Sequence, residues 1–306
     1  MSEIQVLFVA GTHGNEVNAS WLFDHWIENP EIIDTSRCDF SVLKVIGNNA
    51  ARKAGKRYLD RDLNRCFTQE LLNSEIENEY EINRAKDLVD IYGVNGSQPC
   101  QIVVDCHSTT SGMGSCLVVY GRRPLDLALA SLMQNSLGLP IYLHESDCSQ
   151  TGFLVESWPC GFVLEIGPVP QGLLHSEIIN QTKLALETCL EQIRRVKEGK
   201  AVFPERIFIH RHLRSIDYPR DLNGLPSAVI HPERQNKDWE LIKSGDPLFL
   251  TPTGEIISFM GCENVIPVFI NEVSYVEKNI AMSFTIKESW QVLEDWKDCL
   301  FFMIGD

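Results

Sequence analysis

The sequence predicts an α/β protein: a mixed, largely parallel sheet flanked by helices, followed by a smaller β-rich domain. Three observations carry this expectation. Up to residue 200, short apolar runs alternate with amphipathic helical stretches, the alternation that builds a largely parallel sheet. Beyond Gly199-Lys200 the texture changes, with Pro204, Pro219, Pro226, Pro232, Pro247, Pro252 and Pro267 separating short apolar runs. The length of 306 residues, 44% of them hydrophobic, suffices for a large core in two domains. The expected division is 1–200 for an α/β domain and 201–306 for the β-rich one.

Each element has its own warrant. Residues 4–10 are an apolar run of strand length, and Val17–Glu28 has helical spacing after it. Residues 40–46 form a second strand and 81–92 a helix. Strands follow at 101–106 and Cys116–Tyr120, and Pro124–Leu137 is a helix opened by proline, which is suited to the first helical position. Ile141–His144 and 161–166 are further strands. Ser176 offers a cap for a helix running to Val196. In the second part, residues 229–230, Pro247–Leu250, 255–259 and 265–270 are short strands separated by turn signals at Asn223-Gly224, Ser244-Gly245 and Thr253-Gly254.

Charge narrows the partners. With 27 Lys+Arg against 42 Asp+Glu the chain carries −15, which repels phosphate backbones and anionic lipid surfaces. Nucleic acid and membrane are therefore set aside as partners. One window runs against this balance: Arg52, Lys53, Lys56, Arg57, Arg61 and Arg65 fall within 14 residues, where an even spread would place about 1.2 bases. Such a cluster is either a solvated basic surface or a pocket for a small anion. The ten cysteines are scattered without a C-x-x-C pair, as expected of free thiols in a reducing compartment. The start lacks the basic region and long apolar core of a signal peptide, and no apolar run is long enough to span a bilayer. These features predict a cytoplasmic protein. A homo-oligomer remains open.

Three strand ends carry the chemistry. The first strand runs out into Gly11-Thr12-His13-Gly14-Asn15-Glu16, placing His13 and Glu16 three residues apart at a strand-to-helix junction. Ligands gather at the carboxyl ends of strands in open α/β sheets. The strand at 101–106 ends in Asp105-Cys106-His107, which offers a second imidazole at the same edge. Two His and one Glu with an open fourth position form a catalytic zinc set. Asp105 suits the acceptor that orients a ligand imidazole, on either His13 or His107. Glu165 lies in the apolar run at the third strand end, where a carboxylate must be paired or functional and is suited to general-base work. Cys106 points to the opposite strand face and reads as packing. His210 and His212 share one face of a strand without a third ligand and read as surface or interface, while Trp290 and Trp296 read as core or interface.

Six motifs in order extend this reading: residues 11–16, 57–65, 105–110, 165–168, 217–220 and 271–275. Together they resemble the aspartoacylase/succinylglutamate desuccinylase family of zinc carboxypeptidase-like hydrolases over nearly the whole chain. The resemblance implies one Zn²⁺ per chain held by His13, Glu16 and His107, with Glu165 as the base that activates water. It implies Arg57 as the cation that polarises the scissile carbonyl. Asn64 and Arg65 would bind the free carboxylate of the amino acid, Arg65 bidentately, with Tyr275 as a further contact from the β-rich domain. Asp60 and Asp62 would orient the arginines.

The implied reaction is deacylation of an N-acyl amino acid, with N-acetyl-L-aspartate as the leading substrate. One departure bears on this. The family carries an arginine in the loop before the catalytic Glu, and residues 149–157 contain no Arg or Lys. N-acyl aromatic amino acids and succinylglutamate therefore stay open as substrates. A non-catalytic metal- or ligand-binding protein is the alternative from a different class, and retention of Glu165 together with both metal-binding histidines argues against it.

Overall fold

The computed structural model describes residues 4–76, 78–145, 147 and 150–305; Cys148 and Ser149 of the sequence expectations lie outside them. The chain runs β1 (Gln5–Ala10), α1 (Val17–Glu28), β2 (Ser41–Ile46), α2 (Asn49–Ala54), α3 (Gln69–Leu72), α4 (Tyr80–Tyr92), β3 (Ile102–Ser108) and β4 (Cys116–Tyr120). It continues through α5 (Pro124–Leu137), β5 (Ile141–His144), β6 (Cys160–Ile166) and α6 (Ser176–Lys197). The remaining elements are β7 (Arg206–Ile216), β8 (Val229–Ile230), β9 (Pro247–Leu250), β10 (Ile256–Ser258), β11 (Ile266–Val268), β12 (Met282–Gln291) and α7 (Glu294–Ile304).

Nine strands form one sheet in the order β11-β12-β7-β5-β4-β6-β3-β1-β2. The run β6-β3-β1-β2 is parallel, β4 is antiparallel to β6 and parallel to β5, and β12 and β11 close the far side antiparallel. Strand β3 is buried at every position, which is why its sequence is a continuous apolar run rather than an alternation. The alternation is hidden in which face each residue serves. Val6, Phe8 and Ala10 pack with Val104, Cys106 and Phe162 under the face covered by α1, α5, α6 and α7. Leu7 and Val9 pack with Val103 and Val163 beneath α4 and the aromatic side chains of Phe153 and Trp158. Asp105, His107 and Glu165 continue the parity of Val103 and Val163, so they emerge on this second face.

The composition break at residue 200 is a break in texture and not in the sheet. Strands β7 and β12, from the C-terminal part, pair along ten positions, and β7 joins β5 in parallel. Helix α7, which the sequence did not announce, buries Trp296, Leu300 and Ile304 in the core with α5 and α6. A second sheet, β10-β9-β8, lies in the C-terminal part over its own apolar cluster of Ile230, Phe249, Val265 and Phe284. The expected cap of α6 differs: Ser176 is already helical, and the cap position is His175, held extended while its N–H donates to Asn18 Oδ1 at 2.8 Å. Among the described residues no helix is long and apolar enough to cross a membrane, and the nine described cysteines are unpaired.

Candidate metal and catalytic centre

The carboxyl ends of β1, β3 and β6 converge, and the first group they assemble is a trio of donors. His13 follows β1, Glu16 occupies the position before α1, and His107 is the penultimate residue of β3. The Glu16 carboxylate makes no capping bond to its own helix. Instead Oε1 lies 2.7 Å from His13 Nδ1 and Oε2 lies 3.1 Å from His107 Nδ1. One donor atom from each of the three falls within 4.8 Å of the others, and all three side chains are buried. Glycine at position 14 is required for this packing: a Cβ there would stand 2.2 Å from the Arg52 backbone nitrogen. The Gly14 N–H donates to the Arg57 carbonyl, which ties the His13 loop to the basic segment.

Both imidazoles turn Nδ1 to the shared point and hold Nε2 on a carboxylate. Asp62 Oδ1 is 2.8 Å from His13 Nε2, and Asp105 Oδ2 is 2.7 Å from His107 Nε2. The other oxygen of Asp105 accepts from Thr12 Oγ1 at 2.7 Å. The choice left open in the sequence is thereby made: Asp105 serves His107. Carboxylate-anchored imidazoles plus one carboxylate, buried and converging, match the donor chemistry of a Zn²⁺ site with its fourth position open. Burial on its own raises the Glu16 carboxyl, but the two imidazoles reverse this and hold it well below the usual range. For His107 burial opposes the charged form, yet Asp105 and Glu16 raise its pKa well above that of a free imidazole.

Glu165 stands beside this trio because β6 is paired with β3 in register, residue 165 opposite residue 107. Parallel neighbours in register share a face about 4.8 Å apart. Burial pushes the Glu165 carboxyl up to about 8; Glu16 and Glu272 add to this, while His107 and Arg57 oppose it. Arg57 donates from Nη1 to Glu16 Oε1 at 3.1 Å, and its Nη2 lies 2.8 Å from His13 Nε2 and 3.5 Å from Asp62 Oδ2. Burial disfavours its charge, but Asp62 and Glu16 keep the guanidinium ionised. Asp62 therefore faces both an arginine and an imidazole. Asp60 does not fit the expectation. It is exposed, and its Oδ2 accepts from the Tyr80 backbone N–H at 2.7 Å, because the loop turns it away from the cavity toward the start of α4.

The remaining expected residues line the same cavity. Asn64 Oδ1 accepts from the Leu154 N–H at 2.7 Å, which leaves its amide NH₂ for a ligand. Arg65 donates to the Asn64 carbonyl at 2.7 Å and to Gln150 Oε1 at 3.0 Å, and its guanidinium lies 4.2 Å from the centre of the Phe153 ring. Phe153 in turn stacks on Tyr120 with centroids 3.8 Å apart. Tyr275 completes the wall from the C-terminal part, with burial raising its hydroxyl pKa.

Sequence reasoning passed over two neighbours. Glu272 lay inside a quoted motif without a role. Its Oε2 accepts from Thr109 Oγ1 at 2.6 Å, from Thr110 N–H and Oγ1 at 2.7 and 3.0 Å, and from Ser111 N–H at 3.2 Å. It thus binds the C-terminal part to the end of β3. Lys278 Nζ is buried 3.7 Å from Asp62 Oδ2, and burial first, then Arg65, lowers it to about 8. The expectation of a surface or interface position fails for His210 and His212: both are buried, since β7 is an interior strand between β5 and β12. His212 Nδ1 lies 2.8 Å from the Tyr142 hydroxyl.

This fold and site define a hydrolase of linear amide bonds. Residues 2–193 match the Succinylglutamate desuccinylase/Aspartoacylase catalytic domain, and residues 205–287 match the AstE/AspA barrel-sandwich hybrid domain. A probable aspartoacylase of Prochlorococcus marinus is 58% identical over 299 residues, covering 97% of both chains. One from a Synechococcus species is 52% identical over 298 residues, covering 97% of this chain and 96% of that one. Murine aminoacylase 3 superposes with a TM-score of 0.88 at 32% identity, covering 95% of this chain and 98% of that one. The chain belongs to the succinylglutamate desuccinylase/aspartoacylase family.

Proposed function

We propose that the protein is a zinc-dependent amidohydrolase that releases the acyl group of a small N-acyl amino acid, with N-acetyl-L-aspartate as the leading substrate. The observation that carries this reading is the placement of Glu165 beside His107, in one cavity lined by the His13–Glu16–His107 trio and by Asn64 and Arg65. His13, Glu16 and His107 would hold one Zn²⁺, which supplies Lewis acidity toward a carbonyl oxygen and lowers the pKa of water. Glu165 takes a proton from the attacking water on its carboxylate and returns it to the departing amine nitrogen. Arg57 sets a fixed positive charge where the carbonyl oxygen becomes an oxyanion. Asn64 and Arg65, with Tyr275, bind the free carboxylate and so orient the amide toward Glu165.

In this reading residues 1–200 carry the reacting groups and 201–306 cover them through Glu272 and Tyr275. The acidic substrate is supported by Arg57, Arg65 and Lys278 gathered near Asp62, and by relatives called probable aspartoacylase. The aromatic pair Phe153 and Tyr120, beneath Arg65, favours an N-acyl aromatic amino acid as the second reading. The scattered cysteines, without a C-x-x-C pair, support a reducing, cytoplasmic setting. The test is turnover by the zinc-loaded protein on N-acetylaspartate, N-acetylphenylalanine and succinylglutamate. Fastest cleavage of the first supports the leading reading, preference for the second replaces it with the aromatic one, and no cleavage of any of the three refutes both.

A further inference from the structure

Glu81 is a further buried carboxylate close to the basic segment. It lies in the first turn of α4 and is fully buried, with 0% exposure. Its Oε1 accepts from Asn48 Nδ2 at 2.9 Å and from the Leu59 N–H at 2.7 Å, while Oε2 accepts from the N–H groups of Asp60 at 3.0 Å and Arg61 at 3.3 Å. Three successive backbone donors thus converge on one anion. The grip is returned, since Asp60 Oδ2 accepts from the Tyr80 N–H and Arg61 pairs with Glu79. A buried carboxylate is expensive to leave unsatisfied, and four hydrogen bonds to its charged form offset that expense.

The position of this clasp matters. The held segment, Leu59 to Arg61, is the middle of the loop that carries Arg57 on one side and Asp62, Asn64 and Arg65 on the other. Asn48 links the same carboxylate to the sheet edge, because its N–H donates to the Gly11 carbonyl and its Oδ1 caps α2 at the Ala51 N–H. One side chain thereby fixes the cationic loop against both α4 and the strand end that leads to His13.

We infer that Glu81 is a positioning residue for the proposed deacylation: by holding the backbone of residues 59–61 it sets where Arg57, Asn64 and Arg65 stand relative to His13 and Glu165. The inference rests on the deacylase reading. It acts through the loop and touches no substrate. A purely structural carboxylate would affect all ligands alike, whereas a positioning residue affects those that use Asn64 and Arg65.

The experiment measures binding by calorimetry to the zinc-loaded E165Q protein, which removes turnover from the readout. The probes are N-acetyl-L-aspartate, N-acetyl-L-phenylalanine and the α-carboxamide of each. Adding Glu81→Gln is expected to weaken the better-bound acid by about 10- to 100-fold, the worth of charge-assisted bonds to one carboxylate. Its carboxamide should change by less than about 3-fold and zinc content should stay at one per chain. Asp60→Ala, at an exposed site, removes the returned bond and is expected to weaken the same acid by about 3- to 10-fold; it carries the test if Glu81→Gln does not fold. Acid-to-carboxamide ratios within about 2-fold of the parent in the folded variants overturn the role of Glu81. A parent that binds neither acid overturns the deacylase reading and the inference with it.

Discussion

Glu165→Gln separates the chemistry of this residue from its cost to the fold. The substitution keeps the shape and removes both the base and the charge. Loss of a positioned general base lowers kcat by about 10²- to 10⁴-fold, so zinc-loaded E165Q is expected to keep its metal while nearly all turnover disappears. The stability effect has the opposite sign. Burial raises the Glu165 carboxyl from 4.5 to about 8, so between these values the folded protein binds a proton that the unfolded chain does not. The contribution of Glu165 to stability therefore falls as pH rises through that window. The difference of 8 − 4.5 = 3.5 pH units sets a ceiling of about 5 kcal/mol. Glutamine has no such term. Chelator-dialysed E165Q should melt close to wild type at pH 5 and clearly above it at pH 9, by several degrees in differential scanning calorimetry. The same difference in Tm at both pH values would refute the buried-carboxylate argument, and unchanged kcat would refute the base assignment.

Two further outcomes follow from the geometry. Asp105→Asn removes the anion behind His107 Nε2, and zinc affinity measured by competition with a chelator is expected to fall about 10- to 100-fold; unchanged affinity would detach Asp105 from the metal site. Arg65→Lys loses the planar fork and the stacking on Phe153. Steady-state kinetics should show KM rising by about 10-fold or more with kcat far less affected, and an equal loss in kcat would move Arg65 into the reacting centre.

The site was legible where chemistry sits at strand ends. His13, Glu16, His107 and Glu165 are short polar interruptions at the ends of apolar runs, and register alone brings residues 107 and 165 together. What remained hidden depends on paths between strands. The sequence spacing of Asp105 allows it to serve either imidazole, and only the route of the loop after Arg57 places Asp62 on His13. Asp60 and Asp62 are two residues apart in one motif, yet one faces α4 and the other faces the metal trio. Glu81 looked like any acidic residue in a helix's first turn, because nothing in a helical pattern marks the one position where three backbone N–H groups arrive. Strand β12 escaped notice, and β7 was marked only by its two histidines, for a related reason. In β7 the buried Ile207, Ile209 and His212 are interleaved with Arg206, Phe208 and Arg211, and in β12 the buried run 282–285 gives way to half-buried and exposed positions that include Lys287 and Glu288, so neither has the unbroken apolar run that identified β1 and β3.

That long pair of strands bears on how the protein can be divided. A chain cut at residue 200 would retain His13, Glu16, His107, Glu165 and the whole cationic loop. It would also strip β7 from β5 and turn a four-residue interior strand into an edge strand paired on one side only, the kind of surface that recruits other chains. Glu272 would be gone from the end of β3, 163 residues upstream of it, leaving the Thr109 hydroxyl and the Thr110 and Ser111 amides without their shared acceptor. Residues 1–200 would thus lose both a neighbouring strand and a buried acceptor when separated from the last third of the chain.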